Sequence, residues 1–347
     1  MITVGDGNGS DYSEFFENAI AEGNAARNRR LYSDAEKAYK KARNYNPNDS
    51  RSIYGLGNIY SDQQRWEEAE RAYRSALEIE PDNPMASIAL SYVLTQPVVG
   101  VSPGERFVEA EKTARNAIEL DPTNAIGYDQ LGVALELRGL IGEETESAYR
   151  KAVALDSKFA LAYSHLGRLL RKNGRTNESS AAYRQAITLA TDVPTMILVA
   201  EVMQSQQRYL DSEQLLREAL RRDPRNPTGL YLLGKALTFR KNFDEAEAIL
   251  KKSVEVSPAS FVSYALLGSM YSQSGEFAKA EDTLSKAMTV VSPNERKRLA
   301  MEFERIGDGL ARIKKNADAA RIYRRAATLD SDNQILNSKI IAVSGSK

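Results

Sequence analysis

The sequence predicts an all-α fold, a solenoid of about nine antiparallel helix-turn-helix repeats closed by a C-terminal capping helix. Three observations predict it. Small residues in helical runs of the form AxxxYxxA recur at a nearly fixed interval, an apolar residue followed by a small one recurs at a set distance before each run ends, and Pro recurs just after it.

The last small residue of each run serves as a ruler, reading Ala42, Ala76, Ala117, Ala152, Ala186, Ala219, Ser253, Ala287 and Ala326. The gaps are 34, 41, 35, 34, 33, 34, 34 and 39 residues, so the period is 34 with two long exceptions. Nineteen or twenty residues before most ruler positions stand Leu56-Gly57, Leu131-Gly132, Leu166-Gly167, Val199-Ala200, Leu233-Gly234, Leu267-Gly268 and Ile306-Gly307, with weaker counterparts at Glu22-Gly23 and Leu90-Ser91. Second helices open their contact face at Ala35, Ala69, Ala110, Ala246, Ala280 and Ala319, and Tyr39, Tyr73, Tyr149, Tyr183 and Tyr323 follow at helical spacing. Pro47, Pro81, Pro122, Pro224 and Pro258 close their units.

The residue types have a physical reason. Antiparallel helices approach closely only where Gly or Ala meets a bulky side chain. Pro cannot continue a helix and biases the residue before it away from helical conformation, which resets the chain for the next unit. Each hairpin buries its apolar face against its neighbours only, so stability is roughly additive along the array.

This pattern resembles the tetratricopeptide repeat across residues 16 to 333. The resemblance implies a right-handed superhelix in which the first helix of each unit lines a concave groove that takes a protein or peptide partner. The expected organisation is a polar, Gly-rich tail or linker over 1–15, units at about 16–49, 50–83, 84–124, 125–159, 160–193, 194–226, 227–260, 261–294 and 295–333, and a capping helix and tail over 334–347.

Two units depart from the period. The third carries about seven extra residues within Gln96 to Arg106, where Pro97, Gly100, Pro103 and Gly104 forbid a continuous helix and predict a surface loop. Its Val98, Val99 and Val101 are either a partner contact or part of a tolerated insertion. In the ninth, Ser292, Pro293 and Glu295 form a capping-box start that lengthens the first helix. Beyond it, Leu336, Ile340 and Val343 share one face of the capping helix.

Composition narrows the function. Lys plus Arg and Asp plus Glu both total 47, so no global field draws nucleic acid or an anionic membrane. Cys is absent, which removes thiol catalysis, disulfides and Cys-ligated zinc. No apolar run reaches the roughly 20 residues of a membrane helix, so no membrane insertion is expected. The default placement is cytoplasmic, with a periplasmic or membrane-tethered one open if an upstream segment is missing.

Candidate chemistry is sparse. His165, the one histidine, rules out a multi-histidine metal site and reads as a packing or surface residue. Trp66 occupies the repeat position of Tyr32, Phe107, Tyr209, Phe243 and Phe277 and reads as inter-helix packing. Asp6, Asn8, Ser10, Glu14 and Glu17 fit calcium-loop oxygen positions, but Asp11 stands where that turn needs Gly and no entering helix precedes it, so a polar tail with Ser10 or Asp11 capping the first helix is preferred and no metal is expected. Phosphate-binding and nucleophile motifs are missing, so no catalytic residue and no cofactor is expected.

Carried over position by position, the resemblance puts Asn24, Asn28, Tyr54, Asn58, Asp62, Tyr92, Asp129, Arg168, Arg171, Tyr231, Lys235 and Arg312 on the inner face. A chaperone-type carboxylate clamp is not expected, because Ile20, Asn24, Gly55, Met85 and Ala89 stand at its places and Asn24 alone matches. Arg168, Arg171, Lys172 and Lys235 form the densest basic stretch there, which either holds an acidic or phosphorylated peptide or is a solvated stripe balanced by Glu201. The leading expectation is a non-catalytic scaffold or adaptor. The alternatives are the interaction segment of a larger enzyme, signalling or secretion protein, and a homo-oligomer formed through the valine loop or the terminal helix.

Overall fold

The structure, a computed structural model, describes residues 8–98 and 101–345, without the side chains of residues 8–12 and 294. The described residues are helical throughout, with no strand, and the fold is a helical repeat solenoid. They divide into two compact units at Tyr183/Arg184. Unit 1 holds α1 (Asn8–Asn28), α2 (Tyr32–Tyr45), α3 (Ser50–Asp62), α4 (Trp66–Ile79), α5 (Pro84–Leu94), α6 (Pro103–Leu120), α7 (Ala125–Leu137), α8 (Glu143–Leu155), α9 (Ala160–Lys172) and the start of α10 (Thr176–Leu189). Unit 2 holds the rest of α10, then α11 (Val193–Ser205), α12 (Tyr209–Arg222), α13 (Pro227–Phe239), α14 (Phe243–Val256), α15 (Phe261–Ser274), α16 (Phe277–Ala287), a 3-10 turn (Pro293–Glu295), α17 (Arg296–Arg312), α18 (Asn316–Ala327) and α19 (Gln334–Ser344). Consecutive odd and even helices form hairpins, and within each unit a hairpin stacks on the next.

Local chemistry sets the helix ends. Where a unit closes with Pro, the residue two places on often caps the next helix. The side chains of Asp49, Asn124 and Asn226 accept from the backbone N–H of Arg51, Ile126 and Gly229 at 3.0, 3.1 and 3.0 Å, and Asn83 accepts from Ala86 at 2.9 Å. The turn inside most hairpins requires one left-handed residue. Gly139, Gly174 and Gly275 supply it without a Cβ penalty, while Arg30, Gln64, Gln207, Lys241 and Lys314 adopt it with φ near 60°.

Within a hairpin the small residue of the first helix receives a bulky side chain of the second, a tyrosine ring at Gly23, Gly57, Gly132, Gly167 and Gly307 and a leucine at Gly234 and Gly268. A Cβ placed on Gly57 would lie 2.6 Å from the Tyr73 ring, and one on Gly307 2.4 Å from Tyr323. The ring fills the space that the missing side chain leaves. Tyr39, Tyr149 and Tyr183 are among the largest fully buried side chains.

Three sequence expectations change. Helix α1 begins at Asn8, so it runs through the stretch read as a polar tail, and Ser10 and Asp11 fall inside the helix, not ahead of it. Asp6 lies outside the described residues, while Asn8 to Glu17 is helix and not the loop that calcium ligation by alternate residues needs. The third-unit insertion is shorter as a loop than expected, because Pro103 and Gly104 sit in the first turn of α6, where a Pro without an N–H is tolerated. Arg106 then reaches back, donating to Glu70 Oε2 at 2.5 Å and to the Val93 carbonyl at 3.1 Å. Val98 is half-buried, Val101 is 48% exposed, and Val99 lies outside the described residues.

At the C-terminal end, Ser292 and Glu295 bond to each other ahead of α17, which at 17 residues is longer than the 13 of α13. Helix α19 buries Leu336 against the array and leaves Ile335 and Ile341 exposed. Its Lys339 reaches Glu304 and Asp308 of α17 at 2.7 and 2.6 Å.

Candidate functional site

Several of the residues expected on the inner face are, in unit 1, occupied within the repeats. Asn24 accepts the Tyr39 hydroxyl at 2.8 Å and Asn58 accepts that of Tyr73 at 2.9 Å. In unit 2, Asp308 accepts from Tyr323 at 2.7 Å across the same fifteen-residue separation. In these three hairpins the residue after the small Gly holds the tyrosine that fills it. Asp62 forms a two-bond pair with Arg27 at 2.7 and 3.0 Å. Tyr54 is half-buried against Tyr73, with ring centroids 5.7 Å apart, and Tyr92 meets the half-buried Trp66 edge-on at 6.2 Å. Asn28 is exposed.

Asp129 is not on an open face. It is fully buried, with Oδ1 2.8 Å from His165 Nδ1 and Oδ2 without a hydrogen-bond partner among the described residues. His165 is buried with it, 7% exposed, beside the Tyr149 ring. The basic stretch on α9 is also altered by a group the sequence reading left out. Glu136, with a side chain 2% exposed, receives Arg168 at 2.7 Å, Lys172 at 2.8 Å and the Tyr149 hydroxyl at 2.9 Å. Burial pushes the Glu136 carboxyl up, but Arg168 and Lys172 more than offset it and leave the carboxyl below its ordinary range. Arg168 and Lys172 therefore share one internal carboxylate, and Arg171 and Lys172 are both exposed on that helix.

Unit 2 presents a different surface. Helices α13, α15 and α17, first helices of three successive hairpins, line a cavity of about 840 Å³. Its wall carries five cations, Lys235, Lys241, Arg298, Arg305 and Arg312, against two carboxylates, Glu302 and Asp308. Asp308 is paired with Lys339, and Glu302 with Arg305 at 2.7 Å. Among the described residues Lys235, Lys241 and Arg312 make no ion pair, and Arg298 lies over the Phe261 ring at 5.7 Å. Glu201 of α11 lies within the field of Lys235, yet burial still raises its carboxyl above the usual range.

Aromatic surface completes the wall. Tyr231 and Phe243 line it, as does Phe239, which is 53% exposed and stacked on Tyr209 with centroids 4.8 Å apart. The structure thus brings together Tyr231, Lys235 and Arg312 of the sequence expectation. It adds Arg298, Glu302 and Arg305, which the 34-residue ruler could not place because they fall in the lengthened first helix of the ninth unit. Their helical spacing of three and four residues was the available signal.

Three comparisons bear on what the chain is. Family models described as tetratricopeptide repeat match residues 20–84, 160–192, 204–267 and 262–290, together just over half the chain. No curated protein sequence matches it. Among solved structures, the chain is similar to a human IFIT1 dimer with m7Gppp-AAAA, at 17% identity and TM-score 0.53 over 92% of this chain and 78% of that one. It is also similar to a thermophilic TPR protein of Thermus thermophilus, at 20% identity and TM-score 0.47 over 54% and 98% of the two chains. A third likeness is to Pseudomonas aeruginosa pilF, at 15% identity and TM-score 0.46 over 63% and 96%. At these identities the likeness concerns the fold. The glycine-tyrosine hairpins, the period and the family matches agree, and the chain belongs to the tetratricopeptide repeat family.

Proposed function

We propose that this protein is a non-catalytic adaptor that holds an extended acidic peptide on the α13, α15 and α17 face of unit 2. The family supports a protein-interaction scaffold in general. The observation that carries the finer reading is the cation excess of the groove, with Lys235, Lys241 and Arg312 free of ion pairs among the described residues. Carboxylates of a peptide would meet them through charge-assisted hydrogen bonds, and the exposed Phe239 and the neighbouring Tyr231 would supply aromatic anchors of the kind that dominate interface energetics. The field of such a concave surface with a cation excess also favours encounter with an oppositely charged chain.

The test uses the full chain and a fluorescein-labelled, acetylated hexa-aspartate amide, followed by anisotropy. Lys235→Glu with Arg312→Glu should weaken binding more than about tenfold while leaving the thermal melt unchanged, since neither side chain is held in an ion pair. Arg171→Glu, on α9 in unit 1, should leave affinity as it was. Binding that survives the double reversal sinks the reading.

A further inference from the structure

Glu302 is the feature of this groove that an anion site does not need. It lies on α17 in the cavity wall, 9% exposed, with Arg298 four residues before it and Arg305 three after. Arg305 donates to Oε1 at 2.7 Å, while Oε2 is buried and has no hydrogen-bond partner among the described residues. A carboxylate oxygen left without a donor is a costly arrangement, and such groups call for an explanation in the bound state. Burial raises the carboxyl above its ordinary range, and Arg305, Arg298 and the nearby Ser269 hydroxyl offset this only in part.

We propose that Glu302 Oε2 accepts a hydrogen bond from a backbone N–H of the acidic peptide bound in this groove, so that the site reads main chain at Glu302 and carboxylates at Lys235 and Arg312. The proposal rests on the acidic-peptide reading and deepens it. The surroundings select a neutral donor. Arg298 and Arg305, each about one helical turn from Glu302, would repel an ammonium group, whereas an amide N–H adds no charge to the wall. The arrangement also discriminates among anions, because a fully deprotonated anion such as sulfate has no hydrogen to donate and would meet Glu302 only as a repulsive charge.

Two pictures of Glu302 predict opposite signs. If it is merely a buried negative charge, removing it strengthens the binding of an acidic peptide. If it is an acceptor, removing it weakens binding. The experiment titrates full-length wild type, Glu302→Leu and Glu302→Gln with the hexa-aspartate probe, and with the same peptide methylated at its four central backbone nitrogens.

Glu302→Leu should weaken the unmethylated peptide roughly five- to tenfold. Gln keeps an acceptor oxygen and should stay within about twofold of wild type. Methylation should weaken wild type by a similar factor and add little to the Leu variant, the non-additivity that marks a direct contact. Wild-type affinity should fall on acidification as Glu302, whose carboxyl burial raises, takes up a proton, and this dependence should flatten in Glu302→Gln. That comparison separates it from titration of Glu201, the raised carboxyl beside Lys235. The chain's one histidine is in unit 1, outside the groove.

Tighter or unchanged binding by Glu302→Leu, or affinity that rises on acidification, overturns the proposal. Wild type that does not bind either peptide overturns the acidic-peptide reading and this inference together. Wild type that binds, loses the probe on Lys235→Glu with Arg312→Glu, and ignores Glu302→Leu overturns this inference alone. The Arg305 side chain is already half exposed and can be hydrated once its partner is removed, so the Leu variant should fold, and equal thermal melts verify it.

Discussion

Glu136, buried to 2% of its side chain, joins Arg168, Lys172 and Tyr149 into one network in unit 1. Burial alone would favour its neutral form, but the two cations hold the carboxyl below its ordinary value near 4.5. A carboxyl depressed in the folded state contributes stability that is present above its unfolded pKa and lost as pH falls through the folded value. Glu136→Gln leaves two cations facing no charge and should lower stability by about 3 kcal/mol at pH 7. Urea denaturation measures it, and the gap to wild type should narrow as pH falls below 4.5 through the depressed folded value; a gap that stays constant would contradict the network. Glu302 has the opposite sign, since its carboxyl is raised, and its ionised form opposes folding as pH rises through that value. The sequence reading put Arg168 and Lys172 on an open inner face because helical period identifies a face without revealing who stands opposite. For Arg168 that partner is 32 residues upstream in the preceding repeat. Arg27 to Asp62, 35 apart, and Asp129 to His165, 36 apart, repeat the lesson. Polar and charged partners about one period apart were the legible signal that a search within single helices passes over.

Individual helices were largely readable because their boundaries rest on local chemistry. Pro closes a unit, Asn or Asp two residues later caps the next helix, and a left-handed residue turns the hairpin. Asn226 illustrates the cap. It is 3% exposed, accepts from the Gly229 N–H at 3.0 Å and donates to Asp223 at 2.9 Å. Asn226→Ala should destabilise the protein by about 1 kcal/mol, while Asn226→Ser should recover most of it; thermal melts of the two variants decide, and equal loss in both would show that the cap bond is not what matters. The insertion after α5 was harder, because Pro103 reads as a breaker in isolation yet opens α6 when it occupies the first turn. The same ambiguity hid the start of α1, where a Gly-rich polar composition suggested a tail.

Across the whole chain the charges cancel, 47 against 47, and the absence of a global field followed directly from counting. What counting could not show is how the pairs are distributed. Successive second helices exchange Arg and Glu, as in Arg74 with Glu109 at 2.6 Å, Arg115 with Glu144 at 2.7 Å and Arg217 with Glu245 at 2.6 Å. These exposed pairs consume charge and each adds little stability. On the α13, α15 and α17 wall the pairing is incomplete, and a cation excess remains. Tyr231, Lys235 and Arg312 of that wall are legible from repeat position, whereas the basic stretch on α9 lies in unit 1. The central claim is that this wall, within unit 2, is where an acidic peptide lies. The most direct measurement is methyl NMR of the full chain titrated with acetylated hexa-aspartate amide. Ala265 and Leu266 line the cavity and their methyl signals should shift in a saturable, salt-sensitive way, while those of Leu135 and Leu170, buried in unit 1, stay still. Shifts centred on Leu135 and Leu170, or none at Ala265 and Leu266, would contradict the account.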